Sequence, residues 1–332
     1  MARSFSPGTA LDDRELLLQL EAGCHSGDAL ARAFGVTRAA VWKRIRGLRA
    51  AGVEIGGKAG EGYALAAPLD LLDAPAIEQA LAPAAAAALA GLEVVWMIDS
   101  TNSALLQRPV PARGARVLMA EGQRGGRGRR GRGWASPLAA HLYLSVSRGF
   151  GGGLAGLAGL SLAAGVAVAE ALRAHGAAGV GLKWPNDLVV DGRKLGGLLV
   201  EGGGEFAGTA RAVVGLGLNV RMPAGVAATI DQPWAQLSAL VPAPVRRNAA
   251  AAAVLSRLLP ALEQFDAEGL APFLPRYAAL DALAGRAVRV LDGSQVREGV
   301  AEGLADDGGL RLRARDGSVQ VFHAGEVSVR AA

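Results

Sequence analysis

The sequence predicts an α+β protein in three parts: helices at the amino end, a central mixed β-sheet with helices on one face, and a small β-barrel at the carboxy end. Three observations predict it. Apolar residues recur at helical spacing between about residues 27 and 50. Strand-like and helix-like runs alternate between about residues 92 and 265, and an Asp191-Gly192 pair between apolar runs marks a hairpin that a purely parallel sheet would not contain. From about residue 285, short β-branched runs are separated by Asp-Gly turns at 292, 306 and 316.

Composition narrows the class. A chain of 332 residues suits two or three cores, and 51% hydrophobic with 20% charged residues describes a globular protein rather than a disordered one. The net charge of +5 permits polyanion binding without requiring it. Cys24 is the only cysteine, so an internal disulfide is excluded and a reducing, cytoplasmic compartment is expected. The first 20 residues carry Asp12, Asp13 and Glu15 and resemble no targeting segment. Residues 149–169 hold no charge and are long enough to span a bilayer. Their first third is mostly glycine, however, and a buried helix over about 154–173 fits better, so no membrane contact is expected.

The first unit, 1–66, has helix–turn–helix spacing in HSGDALARAFGVTRAAVWKRIRGLRAAG (25–52). Leu30 and Phe34 stripe one helix, Gly35 permits a sharp turn, and Thr37 caps a second helix whose Val41, Ile45 and Leu48 face inward. Arg38, Trp42, Lys43, Arg44 and Arg46 lie off that stripe, as a major-groove reader requires, and Gly27 and Thr37 join them as candidate DNA contacts. VEIGGKAGEGYAL (53–65) reads as two short strands, a wing with Lys58 at its tip. The competing reading is a small packing domain with solvated arginines. APLDLLDAP falls in a linker, 67–78, and residues 76–90 read as an alanine-rich helix.

In the catalytic unit, 79–280, LEVVWMI (92–98), ARVLMAE (115–121), HLYLSVS (141–147), VGLKW (180–184) and RAVVGLGLNV (211–220) read as strands, with helices at 154–173 and 246–265. GRGRRGRGW (126–134) stands between two of these strands and carries four arginines and no acid. Glycines there let backbone amides approach an anion, and guanidinium forks fit phosphate oxygens. Four like charges favour an open loop without ligand and a closed one with it. Nucleic-acid contact and a merely solvated loop remain alternatives. In KWPNDLVVDGRKLGGLLVE (183–201), Lys194 precedes a small-residue strand and suits a carboxylate or phosphate partner, although a surface hairpin lysine reads the same way. Ser100, Thr101 and Asn102 at a strand–helix junction form an ordinary cap, or a donor–acceptor set for a polar heterocycle.

STN, EGQRGGRGRRGRGW, KWPNDL and RKLGG, in this order behind a helix–turn–helix, closely resemble the family of bifunctional biotin–protein ligases that also repress the biotin operon. The resemblance spans nearly the whole chain. It implies a class II synthetase-like ligase domain and an SH3-like barrel over 284–330. It implies a reaction of biotin with ATP and Mg²⁺ to biotinyl-5′-adenylate and pyrophosphate, followed by transfer to a lysine of a biotin carboxyl carrier protein. It also implies a homodimer, favoured by the adenylate, on operator DNA. By matching motif, Ser100, Thr101, Asn102 and Gln123 would contact biotin, with Arg127, Gly128, Arg129 and Lys194 at its carboxylate. Arg127, Arg129, Arg132, Trp134, Lys183, Asn186, Asn219 and Trp234 would face ATP or the adenylate. Asp187, Lys194 and Arg129 would act in catalysis, Asp187 as base or orienter of the attacking amine. Trp234 reads equally as a core tryptophan. No protein side chains are expected to hold a metal independently of the nucleotide. Rival readings are a lipoyl-type ligase and a metabolite-sensing DNA-binding regulator without turnover.

Overall fold

The computed structural model describes residues 12–57, 62–204, 210–242, 244–292, 295–323 and 327–331. The amino-terminal unit contains α1 (Asp13–Ala22), α2 (Gly27–Phe34) and α3 (Arg38–Ala50). Ser26 caps α2 by accepting from Ala29 N at 3.1 Å, and Thr37 caps α3 by accepting from Ala40 N at 3.2 Å. Between them Gly35 sits at φ +63°, a left-handed conformation that costs glycine nothing. Leu30, Val41, Ile45 and Leu48 bury together, and α1 adds Leu16, Leu17 and Leu20. This third helix was written in DRELLLQLEA behind the capping Asp12. Two short strands follow, β1 (Ile55–Gly56) and β2 (Ala64–Leu65), paired antiparallel. Lys58 lies outside the described residues.

The segment expected to be one alanine-rich helix is two short ones, α4 (Ala74–Gln79) and α5 (Pro83–Ala88). Pro83 cannot continue a helix from the preceding residues but serves well at a first turn, so the chain breaks there. The stretch before α4 is fixed by side chains remote in sequence. Arg247 donates to Glu121 Oε2, to Asp70 O and to His141 O, each at 2.8 Å, while Glu121 Oε1 accepts from Leu72 N. Arg247 and Glu121 are both almost fully buried, which makes loss of either partner expensive.

The central sheet has seven strands in the order β3-β4-β5-β9-β8-β7-β6. These are β3 (Leu89–Ile98), β4 (Ala115–Gln123), β5 (Leu142–Phe150), β6 (Gly181–Lys183), β7 (Asp187–Val190), β8 (Arg193–Gly204) and β9 (Ala210–Leu218). β3 and β4 run parallel through the crossover helix α6 (Thr101–Leu106), and every other neighbouring pair is antiparallel. β7 and β8 form the hairpin at Asp191-Gly192.

One face is covered by α7 (Leu160–Ala174), which is buried nearly all round, and by α9 (Arg247–Glu268), beyond the short α8 (Ala224–Ala227). The stretch Ala155–Ala174 has the length and apolarity of a membrane span. Its α7 portion lies largely inside the main core. α6 occupies the opposite face, where Leu105 packs with Leu118 and Val213. The sequence placed helices on one face only; α6, six residues long, is too short for its period to stand out.

After α10 (Leu274–Ala278), β10 (Ala287–Asp292), β11 (Gln295–Leu304), β12 (Leu310–Arg313), β13 (Val319–Phe322) and β14 (Val327–Ala331) form an antiparallel sheet ordered β13-β12-β11-β10-β14. Its Val288, Val290, Ala301, Leu310 and Leu312 join the central core, and Trp184 Nε1 donates to Gly308 O at 3.0 Å. At the other end, Leu138 N donates to Ala51 O at 2.8 Å, and Leu138 and Ala139 bury within the helical unit's core.

Candidate functional site

A cavity of about 1110 Å³ opens over β5, β8 and β9 and brings together Ser100, Thr101, Asn102, Gln123, Arg127, Gly128, Arg129, Arg132, Trp134, Lys183, Asn186, Asp187, Lys194, Asn219 and Trp234. These are all the ligand-site residues expected from sequence. Its walls also include Leu198, Leu199 and Leu216.

At one end, Ser100 caps α6 by accepting from Ser103 N. Thr101 is fixed by Gln123, whose Oε1 accepts from Thr101 N at 2.9 Å and from its hydroxyl at 3.1 Å. Asn102 Nδ2 donates to Leu199 O at 3.2 Å and to Glu201 Oε2 at 2.8 Å, while Asn102 Oδ1 lies 2.6 Å from the Ser145 hydroxyl. Gly215 is required here because a Cβ would collide with the Asn102 amide. Ser100, Thr101 and Asn102 are each 4% exposed, so their polar atoms are oriented before any ligand arrives.

The arginine segment is a folded hairpin: Gly128 N donates to Arg132 O at 2.8 Å and Trp134 N to Gly126 O at 2.9 Å. Arg127 reaches Glu201 at 3.0 Å and donates to Ser103 Oγ at 2.7 Å, so one of the four positive charges has an acid partner from a distant strand. Arg129 is held below the usual guanidinium range by burial, opposed by Asp187 and aided by Arg132 and Arg130. Gly217 makes room for the Trp134 indole, which a Cβ would strike at 2.5 Å.

Lys194 closes the middle of the cavity. Its Nζ lies 2.7 Å from Asp187 Oδ1 and 5.5 Å from the centre of the Trp134 ring. Strand pairing sets this geometry, because Lys194 N donates to Pro233 O and Ala235 N to Lys194 O, which brings Trp234 alongside. Asn219 Nδ2 donates to Lys194 O at 3.3 Å and Ala235 O at 3.1 Å, bracing the same junction. Asn186 Nδ2 donates to Leu198 O. Trp234 is half-buried at the rim rather than in the core.

Glu201, Ser103, Ser145 and Ser136, whose hydroxyl accepts from Gln123 Nε2 at 3.3 Å, escaped the sequence reading. Glu201 closes KLGGLLVE with a lone acid in an apolar strand, a signal that could have been read; the serines carry none.

On the helical unit, Gly27 opens α2 against the Arg38 stem, and Thr37 is spent as a cap. Arg38, Trp42, Lys43, Arg44 and Arg46 are exposed on α3, Trp42 at 53% with the Arg46 guanidinium 5.5 Å from its ring centre. Arg44 pairs with Asp13 of α1 at 3.5 Å.

Profiles of known families match along the chain: an HTH domain at residues 10–64, the Biotin/lipoate A/B protein ligase family at 94–219 and the Biotin protein ligase C terminal domain at 284–330. The chain is 40% identical over 308 residues to the Bifunctional ligase/repressor BirA of Salmonella typhimurium, covering 93% of this chain and 94% of that protein. It belongs to the bifunctional ligase/repressor family. The Escherichia coli relative of the same name gives 40% identity with the same coverage. The biotin protein ligase from Aquifex aeolicus, solved in complex with biotin and ATP, superposes with a TM-score of 0.62 at 26% identity, covering 73% of this chain and 100% of that one.

Proposed function

We propose that the protein activates biotin with ATP to biotinyl-5′-adenylate, transfers the biotinyl group to a lysine of a biotin carboxyl carrier protein, and represses the biotin operon with the adenylate as corepressor. The observation that carries this reading is that one cavity joins a buried polar triplet to the Lys194–Asp187 pair beneath an arginine hairpin.

The carboxylate of biotin attacks the α-phosphorus of ATP, the bond to pyrophosphate breaks, and a mixed anhydride forms. Two anions must meet, so cations have to offset their repulsion. Lys194 and Arg129 supply them at the carboxylate and Arg132 and Lys183 at the phosphates, with Asn186, Asn219, Trp134 and Trp234 around the nucleotide. Ser100, Thr101, Asn102 and Gln123 read the fused rings, and the leucines of β8 and β9 line the acyl tail. In the second step the carrier amine attacks the acyl carbon and AMP leaves, with Asp187 orienting the amine or accepting its proton. The arginine hairpin opens to admit ligands and closes to keep water from the anhydride. Among the described residues no cluster of three metal-ligating side chains occurs. Mg²⁺ would enter with the triphosphate and offset phosphate charge there.

In this reading residues 1–66 form the DNA-binding domain, 67–78 the linker, 79–280 the ligase and 284–330 an SH3-like barrel. β1 and β2 serve as the wing. Arg38, Lys43 and Arg46 meet phosphates and bases, and a cytoplasmic homodimer formed on adenylate binding spans two half-sites.

Pyrophosphate release that requires both biotin and ATP, with label passing to a carrier protein, tests the ligase. Release with lipoate instead would assign the lipoyl reaction, and no release with either would leave a sensing regulator. Operator affinity stronger with biotin and MgATP than with biotin alone tests the corepressor.

A further inference from the structure

Glu201 lies on β8 together with Lys194, yet it is not among the residues to which the ligase reading assigns a task. Its carboxylate nevertheless holds two of them. Arg127 Nη2 donates to both of its oxygens at 3.0 Å, and Asn102 Nδ2 donates to Oε2 at 2.8 Å. Arg127 belongs to the stem of the arginine hairpin, bridged to Gly133. Its other terminal nitrogen donates to Ser103 Oγ at 2.7 Å, so the guanidinium ties the hairpin to both α6 and β8. The ion pair is only partly exposed, 30% on the arginine and 28% on the acid, and each side chain reaches the other from a rigid element. One guanidinium nitrogen shared between both carboxylate oxygens makes a charge-assisted contact, stronger than a neutral hydrogen bond.

The same acid settles the direction of an amide. Asn102 faces two groups that only accept hydrogen bonds, the Glu201 carboxylate and the Leu199 carbonyl. Its nitrogen must turn toward them, which aims its oxygen at Ser145.

We propose that Glu201 is a positioning residue of the biotin-activating site, a latch that pins the stem of the arginine hairpin to β8 and fixes the polarity of Asn102. This rests on the ligase reading above. The hairpin must open for ligands and stay shut over the anhydride, and a partly solvated ion pair at its stem can break and re-form on that cycle. Neither Arg129 nor Arg132, at the tip of the hairpin, takes part in this latch. Glu201→Gln keeps the shape, removes the charge and offers an amide nitrogen where Asn102 needs an acceptor.

The test loads the full chain with labelled biotin and MgATP, removes free ligand, and follows retained biotinyl-adenylate during a chase with unlabelled biotin. Loss of one charge-assisted bond predicts release about tenfold faster from Glu201→Gln, with a melting temperature close to that of the wild type. Arg127→Gln should speed release as well, and the double variant should be no faster than the faster single one, because both remove the same latch. Ser103→Ala, which cuts only the second strut, should give a smaller acceleration, and it carries the test if Glu201→Gln does not fold. Multiplying single effects in the double variant, or wild-type retention in both Glu201→Gln and Ser103→Ala, overturns the latch while leaving the ligase reading intact. A wild-type chain that traps no adenylate at all overturns the ligase reading, and this inference with it.

Discussion

Lys194 Nζ stands 2.7 Å from Asp187 Oδ1, across the hairpin that joins β7 to β8. Each side chain is 21% exposed, which leaves one side of the pair open to the cavity. In the proposed reaction the carboxylate would hold the ammonium where the acyl carboxylate meets the phosphate, and would stay beside that point when an amine arrives. Lys194→Gln should therefore lower the rate of adenylate formation by about a hundredfold, the scale set by removing one charge-stabilising donor. Asp187→Asn should slow transfer to the carrier more than it slows pyrophosphate release. Single-turnover assays of the two half-reactions separate these effects, and equal loss in both steps for Asp187→Asn would remove its role at the amine.

Two glycines of β9 divide the cavity into halves that can be damaged one at a time. A Cβ on Gly215 meets the Asn102 amide, whereas a Cβ on Gly217 meets the Trp134 indole. Gly215→Ala should raise the KM for biotin with little change in that for ATP. Gly217→Ala should displace the tryptophan and weaken nucleotide binding instead. Isothermal titration with each ligand alone checks the division.

His141 imposes an acid limit on stability. Burial pushes its imidazole down from 6.5 to about 4, with Arg247 and Arg221 opposing the charge further and a backbone hydrogen bond acting the other way. Its Nδ1 accepts from Val220 N, so the ring serves the fold in its neutral form. The unfolded chain thus holds more protons between these two values. Stability is unaffected above pH 6.5 and falls as pH drops toward 4, by about 2 kcal/mol at pH 5 for this group alone. Urea unfolding at pH 7.5 and pH 5 should show that loss, and His141→Asn should lose less on the same change.

DNA binding should distinguish the arginines of α3. Arg44 is engaged with Asp13, while Arg46 and Lys43 are exposed. Lys43→Ala and Arg46→Ala should each weaken operator binding and lower the salt slope by about one charge. Arg44→Ala should do less. Equal slopes for all three would mean that the Asp13 pair dissolves on DNA.

The periodic parts of this fold were open to reading from the chain, and the parts that depend on distant partners were not. Val41, Ile45 and Leu48 announced their helix, and Asp191-Gly192 announced its hairpin. The STN, arginine and KWPND motifs converge on one cavity as their family resemblance implies. The sequence gives no sign, however, that Glu201 answers Arg127 or that Arg247 answers Glu121, since 74 and 126 residues separate those partners. A segment with the look of a tether is accordingly anchored, and a loop whose four arginines come with no acid of their own has Arg127 answered by Glu201 from a distant strand.

The hydrogen bond from Leu138 to Ala51 joins the stretch just after Trp134 to the end of α3. The two halves of the molecule are therefore not interchangeable cassettes. Grafting a foreign reader onto this enzyme would succeed only if the newcomer brought its own apolar seat for Leu138 and Ala139. Otherwise the splice would bare a sticky edge within a few residues of the chemistry.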